Sequence, residues 1–200
     1  MSIAHLVDDD DAIRDALAWL LHSHGIASRA WPSAEAFLAD YDGAMQGCVI
    51  LDIRMHAMSG PELFEHLKTR GCCMPVIFLT GHGDVPQAVQ SIKGGAYNFL
   101  EKPFNETELL ECVVGALRVD SERRQQGALR ASAAERVKLL TSREQEVMEG
   151  ILAGKYNKVI AAELNIAMRT VEVHRARIFE KMGVKSAVEL AQILAGEPLA

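Results

Sequence analysis

The chain has 200 residues, 49% of them hydrophobic and 24% charged, with a formal net charge of −6. This suits one large or two modest globular domains and excludes a disordered chain, a collagen or a coiled coil. No apolar run approaches the ~18 residues needed to span a bilayer, which predicts a soluble, cytoplasmic protein with no membrane partner.

Short apolar runs alternate with helical patterns over the first 118 residues. Ile3–Val7, Cys48–Leu51, Val76–Leu79 and Ala96–Leu100 read as strands, with a weaker one near Ile26–Ala30. Between and after them, helical spacing is carried by Ile13, Leu17, Leu20 and Leu21, by Leu63, Phe64 and Leu67, by Val85, Val89 and Ile92, and by Leu109, Leu110, Val113 and Leu117. Strands apolar on both faces predict a five-stranded, doubly wound parallel sheet of the α/β class. Residues 119–137 are polar and alanine-rich and read as a helical linker; residues 138–200 show only helical periodicity and predict a small all-α domain of four helices. The four cysteines lack zinc-ligand spacing and read as incidental thiols.

Charge divides along the same boundary. Residues 1–118 hold 8 Lys/Arg against 16 Asp/Glu, a net of −8, whereas residues 138–200 hold 9 against 8, a net of +1. The two ends therefore face different partners.

In an open parallel sheet, ligands sit beyond the carboxyl ends of the strands, where Asp8, Asp9, Asp52, Thr80 and Lys102 all fall. Converging carboxylates repel one another unless a cation is present. Oxygen-only ligands without His or Cys favour Mg²⁺ over Zn²⁺. Asp52, alone on the central strand, is the candidate nucleophile for a phosphoryl group. Asp8 and Asp9 would hold the metal with Asp52 and a backbone carbonyl near Arg54. Thr80 offers a hydroxyl to a phosphoryl oxygen and Lys102 a compact charge.

The runs Val7-Asp8-Asp9, Leu51-Asp52-Ile53-Arg54-Met55 with Met58-Ser59-Gly60, Leu79-Thr80-Gly81-His82-Gly83-Asp84, and Phe99-Leu100-Glu101-Lys102-Pro103-Phe104 resemble the receiver domain of bacterial two-component response regulators. The resemblance covers residues 3–118. It implies that Asp52 accepts phosphate from a sensor histidine kinase, that Asp8 and Asp9 bind Mg²⁺, and that Thr80 and Lys102 contact the phosphoryl group. It also implies a cis Lys102–Pro103 peptide and a switch role for Phe99, which turns inward as Thr80 moves. His56 departs from the family pattern, which has proline there.

A hydrolase that uses an aspartyl-phosphate generally needs a second carboxylate two residues after the nucleophile. That position is Arg54, which cannot shuttle a proton, so a phosphoryl group on Asp52 would persist and the protein would not be an enzyme. Arg54 and His82 flank the path of attacking water and are expected to set the lifetime of the phosphorylated state.

Thr141-Ser142-Arg143-Glu144 has capping-box spacing and predicts a helix to about Ala153. Asn157–Leu164 predicts a second helix, Asn165–Ala167 a tight turn, Met168–Met182 a third helix closed by Gly183, and Ser186–Leu194 a fourth. Two helices joined by three residues suggest a helix-turn-helix for double-stranded DNA. Arg169, Arg175, Arg177, Lys181 and Lys185 against Glu172 and Glu180 make the third helix region locally basic.

Leu140-Thr141-x-Arg143-Glu144, Asn157-Lys158-x-Ile160-Ala161 and Thr170-Val171-Glu172-Val173-His174-Arg175-Ala176-Arg177 resemble the LuxR-type helix-turn-helix. With the receiver, this places the chain alongside NarL/FixJ-type regulators, nearest the FixJ-like branch. The resemblance implies that Lys158, Thr170 and His174 meet the DNA backbone, while Glu172, Val173, Ala176 and Arg177 face the groove floor. Arg177 suits guanine and Val173 a thymine methyl; Glu172 either accepts from cytosine or repels misplaced phosphates. Asn165 and Ala167 stand where the family has Gly and Ser, so the turn relies on a left-handed Asn and the third helix lacks a capping hydroxyl.

The resulting expectation is a transcription regulator whose phosphorylation promotes homodimerisation and operator binding, with RNA polymerase a further candidate partner. The alternative is an atypical receiver whose DNA binding is independent of phosphate. A stand-alone Mg²⁺ phosphohydrolase is a second rival.

Overall fold

The computed structural model describes residues 3–81 and 85–198. Its contacts divide the chain into two units, residues 1–123 and 124–200.

In the first unit, β1 (Ile3–Val7), β2 (Ser28–Trp31), β3 (Gly47–Asp52), β4 (Val76–Thr80) and β5 (Asn98–Glu101) form one sheet in the order β2-β1-β3-β4-β5. All four pairings are parallel; Leu6 lies opposite Ile50, and Ile50 opposite Ile77. Helices α1 (Asp11–Ser23), α2 (Ala34–Asp40), α3 (Gly60–Thr69), α4 (Val85–Lys93) and α5 (Glu106–Val137) connect and follow the strands. Successive strand residues serve opposite faces. Leu6, Cys48, Ile50, Ile77 and Leu79 pack with Leu17 and Leu21 of α1 and Leu109 and Val113 of α5. Val7, Val49, Leu51, Val76 and Phe78 pack with Phe37 of α2 and Leu63, Phe64 and Leu67 of α3. The sheet is therefore covered on both faces, as its apolar strands require.

Two details differ from the sequence reading. Helix α2 carries too few turns for a clear periodicity, although Ser33 caps it by accepting from Ala36 N–H at 3.1 Å. β5 begins at Asn98, because the Ala96 N–H donates to the Ser91 carbonyl at 3.0 Å and so completes the end of α4. Residues 119–137, read as a helical linker, are helical throughout: all lie within α5, and the boundary between the units falls inside that helix.

In the second unit, α6 (Ser142–Leu152), α7 (Asn157–Leu164), α8 (Met168–Met182) and α9 (Ala187–Ala195) surround Val147, Ile151, Ile160, Val171, Ile178, Met182 and Leu190. Thr141 and Glu144 form the reciprocal capping box that starts α6. Asn165 adopts the left-handed conformation, φ 53°, and α8 starts at Ala167 without a side-chain cap. Among the described residues no helix is long and apolar enough to cross a membrane.

Candidate functional site

The run of four aspartates after β1 is divided between two tasks. Asp10 caps α1, accepting from Ala12 N–H at 2.9 Å, and Asp11 pairs with Arg14 on the first turn. Asp8 and Asp9 turn instead toward the end of β3. One carboxylate oxygen from each of Asp8, Asp9 and Asp52 lies within 4.8 Å of the others. Asp8 is 2% exposed and Asp52 8%. Arg14 reaches across to donate to the Asp8 carbonyl at 2.6 Å, fixing the strand end that carries the pair.

Lys102 completes the cluster. Its backbone N–H donates to the Thr80 carbonyl at 2.7 Å, extending the β4–β5 ladder past the strands, and the following Lys102–Pro103 peptide is cis. Its Nζ donates to Asp52 Oδ1 at 2.6 Å and to Asp8 Oδ2 at 3.0 Å. Burial pushes the Asp52 carboxyl up; Lys102 pulls it back and the neighbouring Asp8 charge pushes it up again, leaving it above the ordinary carboxylate range. Burial lowers the Lys102 ammonium, but hydrogen bonds to Asp52 and Asp8 outweigh this and hold it above its ordinary value.

Asp9 is held from the loop after β3. His56 donates its backbone N–H to Asp9 Oδ2 at 3.0 Å, and its Nδ1 lies against the same oxygen. Burial acts to raise the Asp9 carboxyl, but these His56 interactions prevail and lower it. The loop can close over Asp52 because Gly60 has no side chain: a Cβ there would stand 2.2 Å from the Asp52 carbonyl oxygen. Thr80 is fully buried with its hydroxyl donating to the Gly81 carbonyl at 3.1 Å, and Phe99 is half-buried against the apolar layer under α2 and α3. Arg54 is exposed; His82 lies outside the described residues.

Three converging carboxylates and one shared ammonium retain excess negative charge, and the ligand atoms that Asp8, Asp9 and Asp52 offer are all oxygen. This donor set fits a hard divalent ion such as Mg²⁺, which takes few carboxylates and keeps coordination positions for water and phosphoryl oxygens.

In the second unit, Val171, Ile178 and Met182 bury one side of α8. Glu172, Val173, Ala176 and Arg177 lie on the exposed side; Thr170 and Lys158 are also exposed, and His174 is half-buried. Val173 is 46% exposed, an apolar side chain left facing outward. Not every cation of this helix is free. Lys181 donates to Glu144 Oε2 at 2.6 Å and to the Leu139 carbonyl at 3.1 Å, and Arg175 lies over the Phe179 ring at 5.4 Å. The basic character of α8 that faces outward thus rests on Arg169 and Arg177.

Comparison with known proteins agrees with this division. Residues 4–114 match the family described as "Response regulator receiver domain", and residues 138–194 match "Bacterial regulatory proteins, luxR family". The chain is 47% identical to the C4-dicarboxylate transport transcriptional regulatory protein DctR of Rhodobacter capsulatus, over 94% of this chain and 97% of that protein. It is 44% identical to the transcriptional regulatory protein FixJ of Azorhizobium caulinodans, over 96% of this chain and 92% of that protein. The solved structure of the response regulator StyR aligns with a TM-score of 0.81 at 39% identity, covering 96% of this chain and 98% of that one. Both halves match in order and the relatives extend along nearly the whole length; the chain belongs to the two-component response regulators of the NarL/FixJ type, a receiver domain followed by a LuxR-type helix-turn-helix DNA-binding domain.

Proposed function

We propose that phosphorylation of Asp52 controls DNA binding by the C-terminal helices. The observation that carries this reading is the junction at Lys102, whose one ammonium group bridges Asp52 and Asp8 at 2.6 and 3.0 Å beside Asp9. Such a site is arranged to gain a dianionic group, since it already holds a cation over the acceptor oxygen.

A carboxylate oxygen of Asp52 forms a P–O bond as the P–N bond of a kinase phosphohistidine breaks, and the leaving imidazole takes a proton from solvent. Asp8, Asp9, Asp52 and the Arg54 backbone carbonyl would hold Mg²⁺, which when bound offsets charge on the transferring phosphoryl oxygens. Lys102 exchanges its bond to Asp52 for one to the phosphoryl group. Thr80 gives up its bond to Gly81 and turns its hydroxyl to a phosphoryl oxygen, and Phe99 follows into the space vacated. Arg54, replacing the carboxylate a hydrolase would need, leaves the acyl phosphate long-lived enough to signal.

The altered surface lies on α4 and β5, where Val89 of α4 and Tyr97, just before β5, are already 39% and 37% exposed. Pairing of two copies through it would match two α8 helices to a two-fold operator. On DNA, Lys158, Thr170 and His174 serve the backbone, while Glu172, Val173, Ala176 and Arg177 serve the groove floor. Residues 1–118 act as the receiver and 138–200 as the DNA-binding domain, in a cytoplasmic protein that recruits or excludes RNA polymerase.

The test is duplex binding, to a sequence selected from a random library, by the unsubstituted protein and Asp52→Ala, each with and without acetyl phosphate and Mg²⁺. Phosphodonor should tighten binding and promote dimerisation only when Asp52 is present. Equal affinity in all four samples would instead favour the phosphate-independent receiver.

A further inference from the structure

The last residue of each helix α7, α8 and α9 leaves its carbonyl without an intrahelical partner. In all three, an arginine from elsewhere in the second unit supplies the missing donor. Arg143 Nη2 donates to the Leu164 carbonyl at 2.8 Å, Arg136 Nη1 to the Met182 carbonyl at 2.7 Å, and Arg130 Nε to the Ala195 carbonyl at 2.8 Å. Each carbonyl precedes a left-handed residue, respectively Asn165, Gly183 and Gly196.

Two of these arginines come from residues 124–137, the part of α5 that belongs to the second unit and lies within the 119–137 stretch the sequence reads as linker. The same stretch buries Ala133 to 3% exposure and packs Val137 on the core of the helical unit. The glycines are fitted to it. A Cβ at Gly183 would stand 3.0 Å from Arg136 Nη1, and one at Gly196 would stand 2.6 Å from Arg130 Cγ. At both positions glycine permits the left-handed turn and also leaves room for the guanidinium.

We infer that residues 124–137 are a fifth helix of the DNA-binding unit, and that Arg136 is a positioning residue that fixes the C-terminal end of α8. The role of α8 in this statement rests on the DNA-binding reading above. Met182 is fully buried in the core, so its carbonyl is a firm anchor. A guanidinium on that carbonyl also complements the negative end of the helix dipole. Lys181, one residue earlier, ties the same turn to Leu139 and Glu144. The last turn of α8 is thereby held from two sides by groups that need never touch DNA.

The inference is tested in the full-length protein with Arg136→Ala, Arg136→Lys and Arg130→Ala. Amide hydrogen exchange at Gly183 and Val184, whose N–H groups close the end of α8 on Glu180 and Phe179, is read first. Exchange should speed up roughly tenfold in Arg136→Ala, as loss of a charged partner at a helix terminus implies. It should recover in part in Arg136→Lys and stay unchanged in Arg130→Ala, which instead releases Gly196 and Glu197. On a duplex selected by the unsubstituted protein, Arg136→Ala should bind about tenfold more weakly, with the salt dependence of binding unchanged.

Unchanged exchange at Gly183 and Val184 would overturn the inference, as would a salt slope lowered by about one, the mark of a lost phosphate contact. Full affinity despite faster exchange would overturn the positioning role. If the unsubstituted protein selected no duplex, the DNA-binding reading and the positioning role would fall together, and the exchange data alone would still decide the fifth helix.

Discussion

Lys102 Nζ is shared between Asp52, at 2.6 Å, and Asp8, at 3.0 Å, so one ammonium group balances two buried carboxylates at the ends of different strands. Removing it strands both charges, and stranding a buried partner is costly. Lys102→Ala should lose about 2 kcal/mol of receiver stability, reduced from a fully buried pair because Lys102 is partly exposed. Mg²⁺ should restore the variant's melting temperature more than it raises that of the unsubstituted protein. Thermal melts with and without Mg²⁺ check this; equal shifts would contradict it.

His56 should set the Mg²⁺ requirement. Its two donors occupy one of the two Asp9 oxygens open to a metal and draw charge from the carboxylate. His56→Ala removes the imidazole and His56→Pro removes the backbone N–H as well. Each lost hydrogen bond is worth about 1 kcal/mol or less at this open position. Mg²⁺ affinity by calorimetric titration should therefore rise severalfold in His56→Ala and further in His56→Pro.

Acid should loosen the helical unit through Glu144. Hydrogen bonds from Lys181 and the Thr141 backbone lower its carboxyl from the ordinary 4.5 to about 2. A group depressed on folding stabilises above its unfolded pKa and loses that contribution as pH falls through the folded one. The loss belongs between pH 4.5 and about 2 and amounts to about 2–3 kcal/mol, with Glu144 itself only 2% exposed. Glu144→Gln should flatten the dependence, read from hydrogen exchange at Val147 and Ile178 across that range.

Lys158 and Arg177 should fail differently. Among the described residues neither has a salt-bridge partner, and both are exposed. Arg177→Ala should cost about 1–3 kcal/mol on the preferred duplex and relax preference at one base pair. Lys158→Ala should weaken all duplexes alike and reduce the salt slope by about one. Binding-site selection repeated with each variant at two salt concentrations distinguishes the two.

Much of this was legible from the chain because it depends on local pattern. β1, β3 and β4 announce themselves by apolarity on both faces, and strand ends then bring Asp8, Asp52, Thr80 and Lys102 to one edge of the sheet. Helix α2 escapes because seven residues give barely two turns. Contacts made by long polar side chains across large separations are the least legible. His56 reaches Asp9 across 47 positions and Arg136 reaches Met182 across 46, and no spacing rule encodes either. Lys181 shows the converse: its charge reads as one for DNA, yet it is spent on Glu144.

The central claim is that Asp52 becomes an acyl phosphate. Intact mass and peptide mapping of the full-length protein after incubation with acetyl phosphate and Mg²⁺ test it most directly. The account predicts a single phosphoryl group on the peptide containing Asp52, absent from Asp52→Ala and strongly reduced without the metal. No gain in mass, or a gain that survives in Asp52→Ala, would contradict it.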